Sequence, residues 1–244
     1  MNISKLTRLG RRALPLKRCG AVIVAAGSAS RMGGIDKVMA ALGGEPMIAR
    51  TVRAFQQCGA IADIVIVTRP DLIRPISALC AQMDKVRMVV AGGQSRQESV
   101  ALGLNALPKG VELAAVHDGA RPLITDAVID RTVRAANSYG AAAPAVPVKD
   151  TIKVVRGGLV TDTPDRASLQ AVQTPQVFDA DLIRAALQKA AEEGAQVTDD
   201  CSCVERMGMK VSLTRGSKEA LKLTTPFDLL VARAILEARG RGEI

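Results

Sequence analysis

Three segments carry residue types suited to phosphate chemistry. The first is Ala25-Ala-Gly-Ser-Ala-Ser-Arg31-Met-Gly-Gly34, followed by Lys37. Small residues let a backbone approach a polyphosphate, and successive N–H groups can cradle its oxygens. Arg31 and Lys37 add positive charge that would neutralise an α-phosphate under attack. The spacing is neither G-x-x-x-x-G-K-[ST] nor G-x-G-x-x-G, and an ordinary βα turn accounts for the same glycines. The second segment is Val116-His-Asp-Gly-Ala-Arg-Pro122. A carboxylate such as Asp118 suits Mg²⁺, which takes one or two carboxylates plus substrate phosphates. Arg121 could fork onto a phosphate. Asp118 also reads as a turn or cap residue, and His117 as a packed, hydrogen-bonded side chain outside the chemistry. The third segment, Gly92-Gly-Gln-Ser-Arg-Gln-Glu-Ser99, is a further glycine turn or a plain helix start.

The elements around these segments alternate. Ala21–Ala25, Asp63–Val67, Val86–Val90 and Leu113–Val116 read as strands. Helices are expected from Pro46 with Gly59 just beyond the end, over 71–83, from Ser95 to Leu107, and from a Thr125 cap to Ser138. Strand–helix alternation predicts βαβ units: a Rossmann-like, mostly parallel sheet with helices on both faces. Near-continuous apolar strands fit that burial. Ligands in such sheets bind outside the strands' carboxyl ends, where all three segments lie. The alternation breaks between about 145 and 178. Lys149–Val155, a turn at Arg156-Gly-Gly158 and Leu159–Thr163 read as a projecting β-hairpin arm. A helix capped by Asp179, a shorter one from Thr198 to Gly208, a strand over Met209–Thr214 and a helix opened by Thr225-Pro226 complete the chain.

Composition narrows the function classes. The chain has 244 residues, 48% hydrophobic and 23% charged, enough for one substantial core. Aromatics are 2%, which argues against base-stacking platforms for single-stranded nucleic acid. One histidine excludes multi-His zinc sites. Five cysteines with no C-x-x-C pair suggest neither a zinc ribbon nor a disulfide framework, hence a reducing cytoplasm. The net charge is +9, but Lys5, Arg8, Arg11, Arg12, Lys17 and Arg18 supply six, leaving +3 for the remainder. Residues 1–19 are read as a flexible basic extension and 20–240 as one domain, its arm at about 147–168. No apolar run approaches the roughly 18–20 residues of a membrane span.

Taken together, the segments resemble the 2-C-methyl-D-erythritol 4-phosphate cytidylyltransferases of non-mevalonate isoprenoid synthesis. The resemblance covers about residues 20–238. It continues through Pro147-Val-Lys-Asp-Thr-Ile-Lys153, Asp165-Arg166, Gln173-Thr-Pro-Gln176, Thr198-Asp-Asp200 and Leu221-Lys222-Leu-Thr224. It implies a nucleotide-binding α/β domain whose β-arm interlocks a homodimer. Ala25, Ala26 and Gly27 would line the CTP pocket, and Gly93 and Ser99 would help read cytosine. Arg31, Lys37 and Lys222 would surround the triphosphate, and Asp118 would hold Mg²⁺ or another divalent cation. Gly119, Arg121 and Thr174 would touch methylerythritol phosphate, and Thr151 and Arg166 would reach the partner subunit's site. Asp36 stands where many members have Pro, the Arg31–Lys37 gap is short, and Ala220 replaces a polar residue, so Lys222 is expected to be held differently.

The implied reaction transfers CMP from CTP to the polyol phosphate. The acceptor is already anionic, so no general base is needed, which suits a chain with one histidine. The alternatives are a ribitol-5-phosphate cytidylyltransferase and a non-catalytic nucleotide-sugar-binding module. The latter should have lost Lys37, Asp118 or Lys222. Neither nucleic acid nor membrane is expected as a partner; only the basic extension would favour nucleic acid.

Overall fold

The computed structural model describes residues 15–27 and 37–244, with Lys37 in its backbone alone. In chain order, β1 (Cys19–Ala25) precedes two short strands, β2 (Ala41–Leu42) and β3 (Glu45–Pro46). There follow α1 (Met47–Gln57), β4 (Asp63–Thr68), α2 (Ile73–Leu79), β5 (Val86–Ala91), α3 (Arg96–Ala106), β6 (Leu113–Asp118) and α4 (Asp126–Tyr139). The second half holds β7 (Ala141–Pro147), β8 (Val154–Arg156), β9 (Leu159–Asp162), β10 (Gln170–Val172) and β11 (Gln176–Asp179). It closes with α5 (Ala180–Glu192), α6 (Asp200–Glu205), β12 (Ser212–Arg215) and α7 (Pro226–Gly240).

The main sheet has the order β10-β7-β11-β6-β1-β4-β5, with β12 beside β7. Its centre, β6-β1-β4-β5, is parallel, whereas β11 runs antiparallel to β6 and β7. Side chains alternate across the pleat. Ile23, Ile64, Ile66 and Ala115 pack with Ile48 and Phe55 of α1, Ile76 of α2 and Ile129 of α4. Val22, Val65, Val67 and Val116 meet Val100 and Leu104 of α3 and Ile183 and Leu187 of α5. Both faces are therefore covered, and the strands are apolar throughout for that reason. The register pairs Ala25 with Thr68 and Val24 with Asp118, which sets three strand ends at one edge.

A smaller apolar cluster of Leu42, Met47, Ala120, Leu123, Leu223 and Ala232 seats α7 against the segment after β6. α7 starts cleanly. The Thr225 hydroxyl accepts from the Asp228 N–H, the Asp228 carboxylate accepts from the Thr225 N–H, and Pro226 holds the first position. The five cysteines are free and buried. Burial raises every one of their thiol pKa values, Cys80 and Cys203 to about 11.

Several expectations need correction. The helix expected over 71–83 is a 3₁₀ turn at Pro70–Leu72 and α2, which ends at Leu79. Pro75 does lie within the first turn of α2. Thr125 precedes α4, but its side chain makes no cap bond. The α6 cap is Asp199, which accepts from the Ser202 N–H, and not Thr198. The last strand covers Ser212–Arg215. β7, β10 and β11 were not anticipated. Residues 15–19 belong to the body: Lys17 pairs with Asp179 at 3.1 Å, Arg18 with Asp63 at 2.9 Å, and Cys19 opens β1. The rest of the basic extension lies outside the described residues.

The arm is the expected hairpin, but its first strand begins at Val154 and includes Arg156, whereas an extended run over Lys149–Val155 was expected. β8 and β9 pair antiparallel, and Gly157 and Gly158 turn between them at φ 56° and 80°. Positive φ at both central residues is the hairpin turn that matches strand twist. Val154, Val155, Leu159 and Val160 are all exposed, Leu159 at 74%.

Candidate active site

Three strand ends and one loop before α7 converge on a pair of adjoining cavities. The first, about 340 Å³, is lined by the Val24–Gly27 strand end and by Gly93, Gln94, Ser95, Arg96 and Ser99 around the start of α3. Val38, Asp118, Ala120 and Lys222 complete it. The loop before α3 is folded by its own side chains. The Ser99 hydroxyl donates to the Ser95 carbonyl at 2.9 Å and accepts from the Gly93 N–H at 3.1 Å. The Ser95 hydroxyl accepts from the Glu98 N–H, and the Glu98 carboxylate accepts from the Gln94 N–H. The Gly92 N–H reaches the Thr68 carbonyl, which ties this loop to the sheet edge.

Asp118 lies on the wall between the cavities and is 7% exposed. Lys222 Nζ stands 3.1 Å from its Oδ2, Arg121 Nε 3.3 Å from the same oxygen, and Arg96 Nε 3.8 Å from Oδ1. Burial alone would raise this carboxyl, but Lys222, Arg96 and Arg121 outweigh it and hold the group at about 2. Lys222 is placed by main chain. The Leu223 N–H donates to the Ala120 carbonyl at 2.8 Å, and the Ala220 carbonyl accepts from Arg121 Nη1 at 2.9 Å. At Ala220 the carbonyl, not the side chain, makes this tie.

The second cavity, about 200 Å³, is lined by Arg96, Asp118, Arg121, Val172, Gln173, Thr174, Gln176, Thr198, Asp199 and Lys222. Its floor is built by two glutamines. Gln173 bonds the Ser217 main chain at both ends of its amide, with Oε1 accepting and Nε2 donating. Gln176 Oε1 accepts from the Asp200 and Cys201 N–H groups, and its Nε2 donates to Asp199. Arg96 grips the buried Asp200 carboxylate with two bonds, of 2.8 and 2.7 Å. Burial works against the Arg96 charge, and the Asp200 carboxylate outweighs it.

The structure thus gathers most of the expected residues. Ala25, Ala26, Gly27, Gly93, Ser99, Asp118 and Lys222 line the first cavity, and Asp118, Arg121, Thr174 and Lys222 the second. Gly119 backs the site: a Cβ there would fall 3.0 Å from the Ala25 Cβ. Thr151 and Arg166 are exposed on the arm and line neither cavity of their own chain, and the Arg166 guanidinium donates to the Lys149 carbonyl. Arg31 and the Lys37 side chain lie outside the described residues. The Arg96–Asp200 pair and the glutamine clamps fall within the segments that carry the resemblance, but no sequence signal marks their roles. His117 is fully buried against Phe55, with ring centroids 4.7 Å apart. A larger cleft of about 670 Å³ between α3 and α5 contains none of the expected site residues.

The two cavities, lined by Arg96, Arg121 and Lys222, lie outside the carboxyl ends of the parallel centre of a helix-covered sheet, the ligand-binding edge of an α/β fold. A synthase of 4-diphosphocytidyl-2C-methyl-D-erythritol from Anaerococcus prevotii superposes with a TM-score of 0.83 at 31% identity, over 91% of this chain and 99% of that one. The 2-C-methyl-D-erythritol 4-phosphate cytidylyltransferase of Thermus thermophilus gives a TM-score of 0.75 at 31% identity, over 88% and 98%. A relative of the latter name from Desulforamulus reducens is 46% identical over 228 residues, covering 90% of this chain and 96% of its own length. Another from Caldanaerobacter subterraneus is 44% identical, covering 88% and 97%. The sequence model of the 2-C-methyl-D-erythritol 4-phosphate cytidylyltransferase family matches residues 19–238, and the chain belongs to that family.

Proposed function

We propose that this protein transfers CMP from CTP to 2-C-methyl-D-erythritol 4-phosphate, releasing pyrophosphate, in isoprenoid precursor synthesis. The observation that carries the reading is the shared wall. Arg96, Asp118 and Lys222 line both cavities, so groups bound in the two would meet there. CTP would occupy the larger cavity, against the Ala25–Gly27 edge and the Gly93–Ser99 loop. The polyol phosphate would occupy the smaller, against Arg121 and Thr174. An acceptor phosphate oxygen attacks the α-phosphorus in line, and the protein's work is positioning and offsetting negative charge. Lys222 and Arg96 would supply that charge at the wall, and the family resemblance assigns Arg31 and Lys37 to the same task.

Asp118 fits a divalent cation: it is a single ionised carboxylate beside the cavity proposed for the triphosphate, and Lys222 already holds a cation against it. Among the described residues no group of three or more His, Cys, Asp or Glu could hold a metal alone, so Mg²⁺ would arrive shared with phosphate oxygens. When bound, Mg²⁺ would draw charge from those oxygens.

The exposed apolar residues of the arm support a homodimer, in which Thr151 and Arg166 would reach the neighbour's acceptor site. The cytoplasm suits five reduced thiols, and among the described residues no helix is long and apolar enough to cross a membrane. The test is pyrophosphate release with CTP, ATP, GTP and UTP against methylerythritol 4-phosphate and ribitol 5-phosphate. Turnover restricted to CTP with methylerythritol phosphate is expected. Preference for ribitol phosphate, or binding without turnover, would overturn the reading.

A further inference from the structure

His117 and Thr174 form a closed proton arrangement behind the acceptor cavity. The ring is fully buried, and its two hydrogen-bond partners are a carbonyl and a hydroxyl with no carboxylate to pair a charge, so it is held neutral. Nε2 faces the Arg121 carbonyl at 3.4 Å, and Nδ1 lies 2.9 Å from the Thr174 hydroxyl. A carbonyl has no proton to give, so Nε2 carries the ring's one proton and Nδ1 is bare. The Thr174 hydroxyl must then donate to Nδ1. Its oxygen accepts the Asp118 N–H at 3.2 Å. Each proton has one place in this chain of bonds, and the Thr174 proton is not available to a substrate phosphate.

We propose that His117 is a positioning residue for the acceptor half of the site, holding the Asp118–Arg121 turn through Thr174 at one end and the Arg121 carbonyl at the other. The assignment rests on the proposed acceptor cavity. The turn it holds carries the Asp118 carboxylate and the Arg121 guanidinium, 3.3 Å apart, which both line that cavity. Thr174 therefore shapes the phosphate site through the turn and not by donating its hydroxyl proton to the ligand.

The proton assignment is read without any turnover. The chain has a single histidine, so a long-range ¹H–¹⁵N spectrum at pH 7 reports this ring alone. A neutral ring protonated on Nε2 is expected; a charged ring, or one protonated on Nδ1, overturns the assignment. The positioning role is read from kinetics and from CTP titration. His117→Phe keeps a ring against Phe55 and removes both bonds. It should raise the KM for the polyol phosphate about tenfold, the scale of a lost buried hydrogen bond, with CTP affinity changed less than about twofold. His117→Asn keeps an acceptor for Thr174 and should recover most of that loss. His117→Phe combined with Thr174→Val should be no worse than either alone, because both cut one chain of bonds. An unchanged acceptor KM, equal losses for both substrates, or additive losses would overturn the role. If His117→Phe does not fold, His117→Gln against His117→Leu carries the same comparison: Gln, which keeps an acceptor for the Thr174 hydroxyl, should raise the acceptor KM less than Leu, and equal rises would overturn the role. Failure of wild-type turnover would count against the proposed reaction, and the spectrum would still decide the proton assignment.

Discussion

Lys222 meets Asp118 because the chain on either side of it is pinned, by Leu223 to Ala120 and by the Ala220 carbonyl to Arg121. Lys222→Met keeps the stem and removes the charge. It should lower kcat by about 10²–10³, the usual effect of deleting one charge-stabilising donor, with the thermal midpoint little changed, since the side chain is 42% exposed. A variant keeping a tenth of wild-type kcat would remove Lys222 from the reacting centre. Asp118→Asn should weaken turnover and metal dependence together; an unchanged Mg²⁺ titration would contradict its role as a ligand. At this scale much was legible. Asp118 ends an apolar run, where parallel sheets keep their ligands, and Arg121 follows within one turn. The Arg96–Asp200 pair was not legible, because its partners lie 104 residues apart and neither stands in a periodic pattern. The glutamine clamps were equally hidden, since their partners are backbone groups that no side-chain pattern marks.

The arm is the element with most left to do. Two strands alone are marginal in water, and this pair leaves Val154, Val155, Leu159 and Val160 exposed. If the arm completes a neighbour's site, mixing inactive Lys222→Met subunits with inactive Arg166→Ala subunits should restore activity. One site of each mixed dimer then carries both defects and the other carries neither. No recovery, with subunit exchange confirmed by mass spectrometry, would mean that each site is built from one chain. The arm was legible from two extended runs on either side of a Gly-Gly turn. β7 was not: Ala141-Ala-Ala-Pro-Ala-Val-Pro147 offers one β-branched residue and two prolines, against every strand propensity. Its strand state is imposed by pairing with β10, β11 and β12. α2 stops at Leu79, short of the helix expected to Met83: Leu79 is 37% exposed, and Met83 packs on the core from outside the helix.

For the molecule as a whole, pH stability isolates one group. The folded pKa of His117, about 3, lies below the ordinary 6.5, so the unfolded chain takes up a proton first as pH falls. The stabilisation is complete above pH 6.5 and is lost as the pH drops from there towards 3. No other histidine is present; carboxylates such as Asp118 add their own losses mainly below about pH 4, whereas burial raises the Asp200 carboxyl, whose proton uptake in the folded state opposes the loss. Urea unfolding in chelator between pH 6.5 and 4.5 should therefore lose stability with a slope approaching 1.4 kcal/mol per unit, roughly one proton. His117→Phe should flatten that slope; an equal slope in the variant would mean that other groups carry it. Sheet class and faces were legible from the apolar runs, whereas the antiparallel insertion of β11 between β6 and β7 depends on contacts that local pattern does not encode. The buried thiols give this architecture a built-in reporter. Cys19, Cys58 and Cys80 lie in one helix-to-sheet layer, and Cys201 and Cys203 in the other. An alkylating reagent needs an exposed thiolate, so the modification rate of each cysteine is a clock for the opening of its own layer. Mass spectrometry of partly labelled chains would then show whether the two halves of the core come apart together or in turn.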